Sequence, residues 1–411
     1  MANSVITPQW VINDIAREYR NRTVLIDAAD RSYDKQFEVK GAKVGAQIQA
    51  RLPQRPRASS GAVLNKQPVV DQTTPVTITD QINIGIELSS YTLSLEKSEI
   101  RRTVINPAVN AIVQDIESKG FQRLYQKIPN SIGTLGTSPT ANLTYAQGVA
   151  KLTDMMGSAD DLVAILSSDQ SAVLADAQKG NANPGFGRSD ALRKGMFLGP
   201  MALGVDRWAA SPNVAIHTSG SFSATTALVN VAGGVTEGSS SVVTDGFNAD
   251  TSLVAGDVFT FAGCYEVNSA NFSSTGRLRQ FTLTAAATGA TPTLQFTPAI
   301  YASGPQQNVS ALPADNAAIL VWGVAGGGTL AATNSRQGLI FAPGTVVLAM
   351  ADAEKVDAPV CVFARDEEAG LSLRLTKSYD IDSDNNYARI DGFFGWNLIR
   401  PEWGALRVQG A

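Results

Sequence analysis

Between Ser219 and Ala325 the chain carries eight charged residues in 107: Glu237, Asp245, Asp250, Asp257, Glu266, Arg277, Arg279 and Asp315. Ser, Thr, Gly and Ala dominate, and alternating runs such as Val258-Phe259-Thr260-Phe261, Phe281-Thr282-Leu283-Thr284 and Leu294-Gln295-Phe296-Thr297 are separated by turn residues. A period of two in β-branched and aromatic side chains marks half-buried strands. The block therefore predicts an all-β module, a small barrel or a sandwich. Helical and mixed patterning lies on both sides of it. The module is thus expected as an insertion into an α/β region, at a surface loop where an insertion disturbs least.

The second strong periodicity lies within Ser98 to Ile128. From Pro107 onward, Val109, Ile112, Val113, Ile116, Leu124 and Ile128 recur three or four apart, with Gln114, Asp115, Glu117, Lys119, Gln122 and Arg123 on the other face. This is a long amphipathic helix, about 30 Å at 1.5 Å per residue. Pro107 has no amide hydrogen, so it either begins this helix or kinks a longer one. Further on, helices are expected at Tyr145 to Met156 and at Ser168 to Gln178, the latter capped by Ser167 or Ser168. Strands are expected at Leu162 to Leu166 and Val214 to Ile216, and a turn-rich loop at Gly180 to Gly187. After Gly338, apolar runs at Leu339 to Phe341, Val346 to Met350, Val360 to Phe363, Leu371 to Leu375, Tyr387 to Leu398 and Ala405 to Val408 predict a β-rich closing piece. The long helix is its expected packing partner.

At the other end, Thr7-Pro8 opens a short helix with Val11, Ile12, Ile15 and Tyr19 on one face. Arg17, Arg20 and Arg22 form a basic cluster, read as a solvated face. Lys43 to Leu52 and Val69 to Tyr91 read as extended, joined by the polar, proline-broken segment Pro53 to Gly61. Together they suggest a long two-stranded arm, with an ordinary surface loop as the alternative. Isolated two-stranded hairpins are marginal in water, so an arm needs a neighbouring surface. Its cations Arg51, Arg55, Arg57 and Lys66 have only Asp71 as a local acid.

Chemistry is sparsely signalled. A net charge of -4 and a pI near 5.2 argue against a surface built to grip nucleic acid. Cys264 and Cys361 lie in strand-like runs and are expected as buried free thiols in a reducing compartment. The opening Met1-Ala2-Asn3-Ser4 shows no signal-peptide pattern, and no run approaches the ~18 apolar residues of a membrane span, so a chain made and kept soluble is expected. His217 is the only histidine. A histidine metal cluster is thereby excluded, and a Ser-His-Asp triad depends on that single residue. Asp380, Asp382, Asp384 and Asp391 fall at calcium-loop positions one, three, five and twelve. Asn385 replaces the loop's glycine and the flanks read as strands, so a polar hairpin turn is favoured over a metal site. Gly326-Gly327-Gly328 lacks the Lys-Ser/Thr of a phosphate loop, and Asp366-Glu367-Glu368 reads as solvated charge. No enzyme signature and no cofactor site are expected.

Two stretches point further. One runs from Gly256-Asp257-Val258-Phe259-Thr260-Phe261-Ala262-Gly263-Cys264-Tyr265-Glu266-Val267-Asn268 through Ser274-Thr275-Gly276-Arg277-Leu278-Arg279-Gln280-Phe281 to Thr297-Pro298-Ala299-Ile300. The other is Gly395-Trp396-Asn397-Leu398-Ile399-Arg400-Pro401-Glu402. With the order of segments, they resemble the major capsid proteins of tailed bacteriophages, in the short-tailed-phage coat type with an inserted β-domain. The resemblance implies an α+β Hong Kong 97-type capsid fold with an inserted barrel-like β-domain. It implies an N-terminal arm at 1–42, an extended hairpin arm at 43–91 and a peripheral domain with a spine helix at 92–142. An axial domain at 143–218 and 326–369 would then be interrupted by the insertion at 219–325, and peripheral strands would follow at 370–411.

It further implies pentamers and hexamers in an icosahedral shell, a scaffolding protein and portal during assembly, and packaged double-stranded DNA held by non-specific contact. Synthesis and assembly would take place in the host cytoplasm, and the product would be the virion capsid. Arg51, Arg55, Arg57 and Lys66 become candidate inter-subunit contacts, and Pro107 a candidate spine kink. One departure is that Val235 to Asp250 carries only Glu237, Asp245 and Asp250, so charge-paired bridging through this loop is not expected. The alternative is a non-enzymatic adhesin or lectin-like protein whose Ser/Thr-rich β-domain is the binding head.

Overall fold

The computed structural model describes residues 23–33, 47–57, 66, 71–89, 99, 101–156, 161–178, 204–322, 329–357, 360–366, 371–381 and 385–411. The helix expected after Thr7, the cluster Arg17, Arg20 and Arg22, residues 58–61 of the arm's tip, the Gly180 and Gly326 loops, Glu367, Glu368, Asp382 and Asp384 lie outside the described residues.

The strands begin with β1 (Gln47–Arg51), β2 (Thr73–Thr77), β3 (Asp80–Ser89), β4 (Ser131–Gly133), β5 (Val163–Leu166), β6 (Arg207–Ala210) and β7 (Ile216–Thr218). Then come β8 (Phe222–Val229), β9 (Ser241–Phe247), β10 (Ser252–Leu253), β11 (Val258–Val267), β12 (Ser274–Leu283), β13 (Ala287–Thr288), β14 (Thr293–Thr297), β15 (Ile319–Val321) and β16 (Thr329–Leu330). The last are β17 (Asn334–Phe341), β18 (Val346–Ala351), β19 (Val360–Asp366), β20 (Leu371–Asp380), β21 (Asn385–Leu398) and β22 (Ala405–Gly410). The helices are α1 (Leu25–Ala28), α2 (Asn106–Tyr125), α3 (Asn142–Met156), α4 (Ser168–Gln178) and α5 (Pro401–Gly404). These elements divide into two compact units, Met1–Ala50, Thr74–Gly120 and Val346–Asn397 in the first, and Arg51–Thr73, Phe121–Thr345 and Leu398–Ala411 in the second.

In the first unit β21 is the central strand. Asn385 to Asp391 pair with β20, and Asn385 to Phe394 pair along the opposite edge with β3, while β19 extends the sheet beyond β20. Val109, Ile112, Val113 and Ile116 of α2 are buried, as their spacing requires. Trp396 Nε1 donates to the Ile116 carbonyl at 2.9 Å, and Gly120 lets the ring approach so closely that a Cβ there would lie 2.7 Å from Trp396 Cε2. Glu117, 2% exposed, accepts from the amides of Val24 and Leu25 at 2.6 and 2.9 Å, serving otherwise orphaned donors at the start of α1. A π-helical turn, Arg101–Ile105, leads directly into α2, so Pro107 sits where the helix changes from π to α geometry.

In the second unit six strands run in the order β4-β22-β17-β5-β6, with β7 also on β17, among the described residues. Ser167 caps α4 reciprocally: its Oγ accepts from Gln170 N and Gln170 Oε1 accepts from Ser167 N, which is the capping box. Tyr145, Leu152 and Met155 of α3 share a core with Leu166, Leu174, Ile340, Leu406 and Val408. The charge-poor block forms a second sheet, β15-β11-β12-β14-β9-β8-β16. It nearly closes on itself, because Ala318 bridges back to Leu228. Phe259, Phe261, Phe281 and Phe296 fill its interior with ring centroids 5.2–5.9 Å apart. The chain leaves the first sheet of this unit at β7 and returns at β17, and those two strands pair, Thr218 with Asn334. Entry and exit of the β block therefore lie side by side.

Within the run read as extended from Val69 to Tyr91, β2 pairs with β1, whereas β3 joins the sheet of the first unit through β21. The two units divide at Thr345/Val346, and β22 pairs with β17 and β4. Alternation states that a strand has two faces, but it does not name its neighbours.

Candidate functional site

Arg55, expected on an exposed arm, is 9% exposed and set into its own chain. Its Nε donates to the Ser269 carbonyl at 2.9 Å, and its Nη1 to the carbonyls of Gln307 and Pro305 at 3.1 and 3.3 Å. The guanidinium carbon lies 4.0 Å from the Trp403 ring centre and 4.5 Å from that of Phe272, within cation–π range. Burial, with Arg400 nearby as the next cause, pushes its pKa down to about 10, so it remains a cation at neutral pH. Within its own chain Arg55 thus spends Nε and Nη1 on carbonyls, while its buried Nη2 has no hydrogen-bond partner among the described residues. Arg51, Arg57 and Lys66 are exposed, with Arg57 5.3 Å from the Phe272 ring.

A buried polar seam lies where β12 meets β4, α3 and β22. Arg279 to Leu283 are buried in succession, so both faces of the strand are covered. Gln280 stands in for a missing strand: its Oε1 accepts from Ser131 N at 2.7 Å and its Nε2 donates to Ser131 O at 3.1 Å. Lys151 Nζ donates to the same Oε1 at 2.5 Å and lies 3.7 Å from Glu266 Oε2. Burial lowers the Lys151 pKa to about 8, against the pull of Glu266. Arg407 donates to the Gly256 carbonyl and Thr282 Oγ1, and Arg279 to the Glu402 carbonyl. A cleft of about 840 Å³ opens beside the seam, lined by Ser131, Lys151, Arg277, Gln280 and Trp322 among others. None of these residues was expected in a site from sequence, although Glu266, Arg277, Arg279 and Gln280 lie in one of the two quoted stretches. The available signal was a cluster of rare charges, Glu266, Arg277 and Arg279, inside an otherwise uncharged β block.

His217 Nε2 donates to Asp257 Oδ1 at 2.9 Å, both buried, and the carboxylate also accepts from the amides of Val254 and Gly220. The pair ties β7 to the turn just before β11, and no serine or cysteine is joined to it among the described residues. Asp391 is buried in a two-pronged bond with Arg374, Nε to Oδ1 at 2.9 Å and Nη2 to Oδ2 at 2.5 Å. Asp380 stands opposite Asn385 in the same β20–β21 hairpin. Asp380 and Asp391 thus lie on the paired strands β20 and β21.

A family model described as "P22 coat protein - gene protein 5" matches residues 2–409. The chain belongs to the P22 coat protein family. It is a major capsid protein of tailed phages, a subunit of the shell. That match decides between the shell and the adhesin-like alternative. Among solved structures, a chain of the bacteriophage PhiM1 mature capsid is 10% identical, with 95% of this chain and 87% of that one covered at a TM-score of 0.45. A Mycobacterium phage Che8 chain is 10% identical, with coverages of 94% and 91% at a TM-score of 0.43. The coat protein I-domain of CUS-3 is 28% identical over 26% of this chain and 96% of that one, at a TM-score of 0.17. No curated protein sequence matches.

Proposed function

We propose that this coat protein uses the Hong Kong 97-type plan, with the barrel-like β-domain at 219–325 inserted into its axial domain, and closes into pentamers and hexamers of an icosahedral shell. The family match along residues 2–409 carries this reading. The side-by-side entry and exit strands β7 and β17, the near-closed sheet and the long α2 support it. One heterologous contact repeated around a ring, at slightly different angles, is enough to close rings into a shell. Arg51, Arg57 and Lys66 supply exposed charge for contacts with adjacent subunits. Such pairs are worth about 0.2–1 kcal/mol each and gain weight by repetition. The π-to-α change at Pro107 is the point where α2 bends between subunits in different positions. Scaffolding protein and portal act during assembly in the host cytoplasm, the finished shell holds DNA without sequence reading, and the subunit performs no catalysis.

Sedimentation velocity of the purified chain, alone and with its scaffolding protein, tests the reading. Shell-sized particles are expected. A chain that stays monomeric or in small oligomers under both conditions overturns it.

A further inference from the structure

Four non-glycine residues among those described adopt left-handed backbone: Asp161, Phe272, Asn316 and Arg400. For a bulky side chain such as Phe or Arg this is costly and persists only where the surroundings impose it. Phe272 and Arg400 both touch one short segment, Pro53 to Arg57. Phe272, at φ 59°, faces the Arg55 guanidinium. Arg400, at φ 50°, donates through Nη2 to the Pro53 carbonyl at 2.6 Å and to Gln72 Oε1 at 3.4 Å.

The rest of the receptor is built for a planar cation. Two turns of the β block supply the carbonyls. The first is folded by Asn268, whose side chain caps Ala270 N and Asn271 N, and the second is closed by Gln307 N on the Gly304 carbonyl. Trp403 forms the other wall. Among the described residues no carboxylate bonds to Arg55. Carbonyls and ring faces recognise the shape of a guanidinium, which a lysine ammonium cannot reproduce.

We propose that Arg55 is a positioning residue that plugs the root of the arm into a socket formed by the inserted β-domain and Trp403. The subunit then enters assembly with Leu52 to Arg57 already fixed. The inserted domain accordingly acts first within its own chain, as the clamp of the arm's root. This rests on the capsid reading. Because Arg55 is 9% exposed and its bonds go to carbonyls and ring faces, salt screens its hold far less than that of an exposed charge pair.

Hydrogen exchange by mass spectrometry on the full-length monomer tests the clamp, followed by assembly kinetics from light scattering. In Arg55→Ala and Arg55→Lys, the amides of Leu52, Gln54, Arg55 and Arg57 are expected to exchange at least tenfold faster than in the parent, while β11 and β12 keep their protection. Raising salt to 0.5 M leaves the parent's protection unchanged. Both variants then assemble at least tenfold more slowly, or into misshapen particles, at a temperature where the monomers are folded. Unchanged exchange at 52–57, rescue by Arg55→Lys, or loss of protection with salt overturns the socket. A loosened root with parental assembly rate and particle shape overturns its role in assembly. If the parent itself forms no shells, the capsid reading falls while the exchange result still judges the clamp.

Discussion

Lys151 shows how much a single side chain can reveal. It is buried beside Glu266, yet desolvation outweighs the attraction and holds its pKa at about 8, against an ordinary 10.5. Below pH 8 folded and unfolded chains both carry the proton and the buried charge is a fixed cost. Between pH 8 and 10.5 the unfolded chain binds more protons, so this group makes stability rise with pH. The slope from one such group is at most about 1.4 kcal/mol per pH unit. Urea unfolding of the parent and Lys151→Met between pH 7.5 and 10.5 isolates it. The variant is expected to lose that rise, and parallel curves would show that Lys151 keeps an ordinary pKa.

At the scale of elements, α2 depends on a glycine that helix propensity disfavours. Gly120→Ala gains about 1 kcal/mol in helix propensity, but the new methyl meets Trp396 Cε2 at 2.7 Å and Leu25 Cδ2 at 2.9 Å. The indole is held by its bond to the Ile116 carbonyl and cannot easily retreat. Overpacking costs about 1–3 kcal/mol, so a net loss of up to about 2 kcal/mol is expected as a lower urea midpoint. An unchanged or higher midpoint would mean that the ring moves aside freely. Elements of this kind were legible in sequence where the signal is local. The stripe Val109 to Ile116 gave the helix, and Ser167 or Ser168 was the expected cap of α4, which the structure assigns to Ser167 with Gln170 as its partner. Partners were not legible. Nothing in Ile82 to Leu88 says that β3 belongs with β21, and Arg55 looked like any exposed loop cation because its socket is assembled from Ser269, Pro305, Gln307 and Trp403, more than two hundred residues away. The buried seam was hidden for the same reason: Lys151 and Gln280 are ordinary surface types until the fold covers them.

Across the whole molecule, the separation of paired strands should order folding. In the β block, β11 and β12 form a hairpin, and its strands all fall between Phe222 and Leu330. By contrast β3 pairs with β21, Asp80 opposite Phe394, and β4 with β22, Ser131 opposite Arg407. Closing loops of that length delays those contacts. In pulse-labelled refolding, amides of β11, β12 and β14 are expected to gain protection before those of β3 and β21, and the reverse order would contradict this. The family match gives the same chain a shell to build. Cryo-electron microscopy of the assembled protein at a resolution that traces the chain is the most direct test. Closed icosahedral shells of pentamers and hexamers, each subunit carrying its β block between β7 and β17, are the expected result. Discrete small oligomers with no closed shell would contradict it.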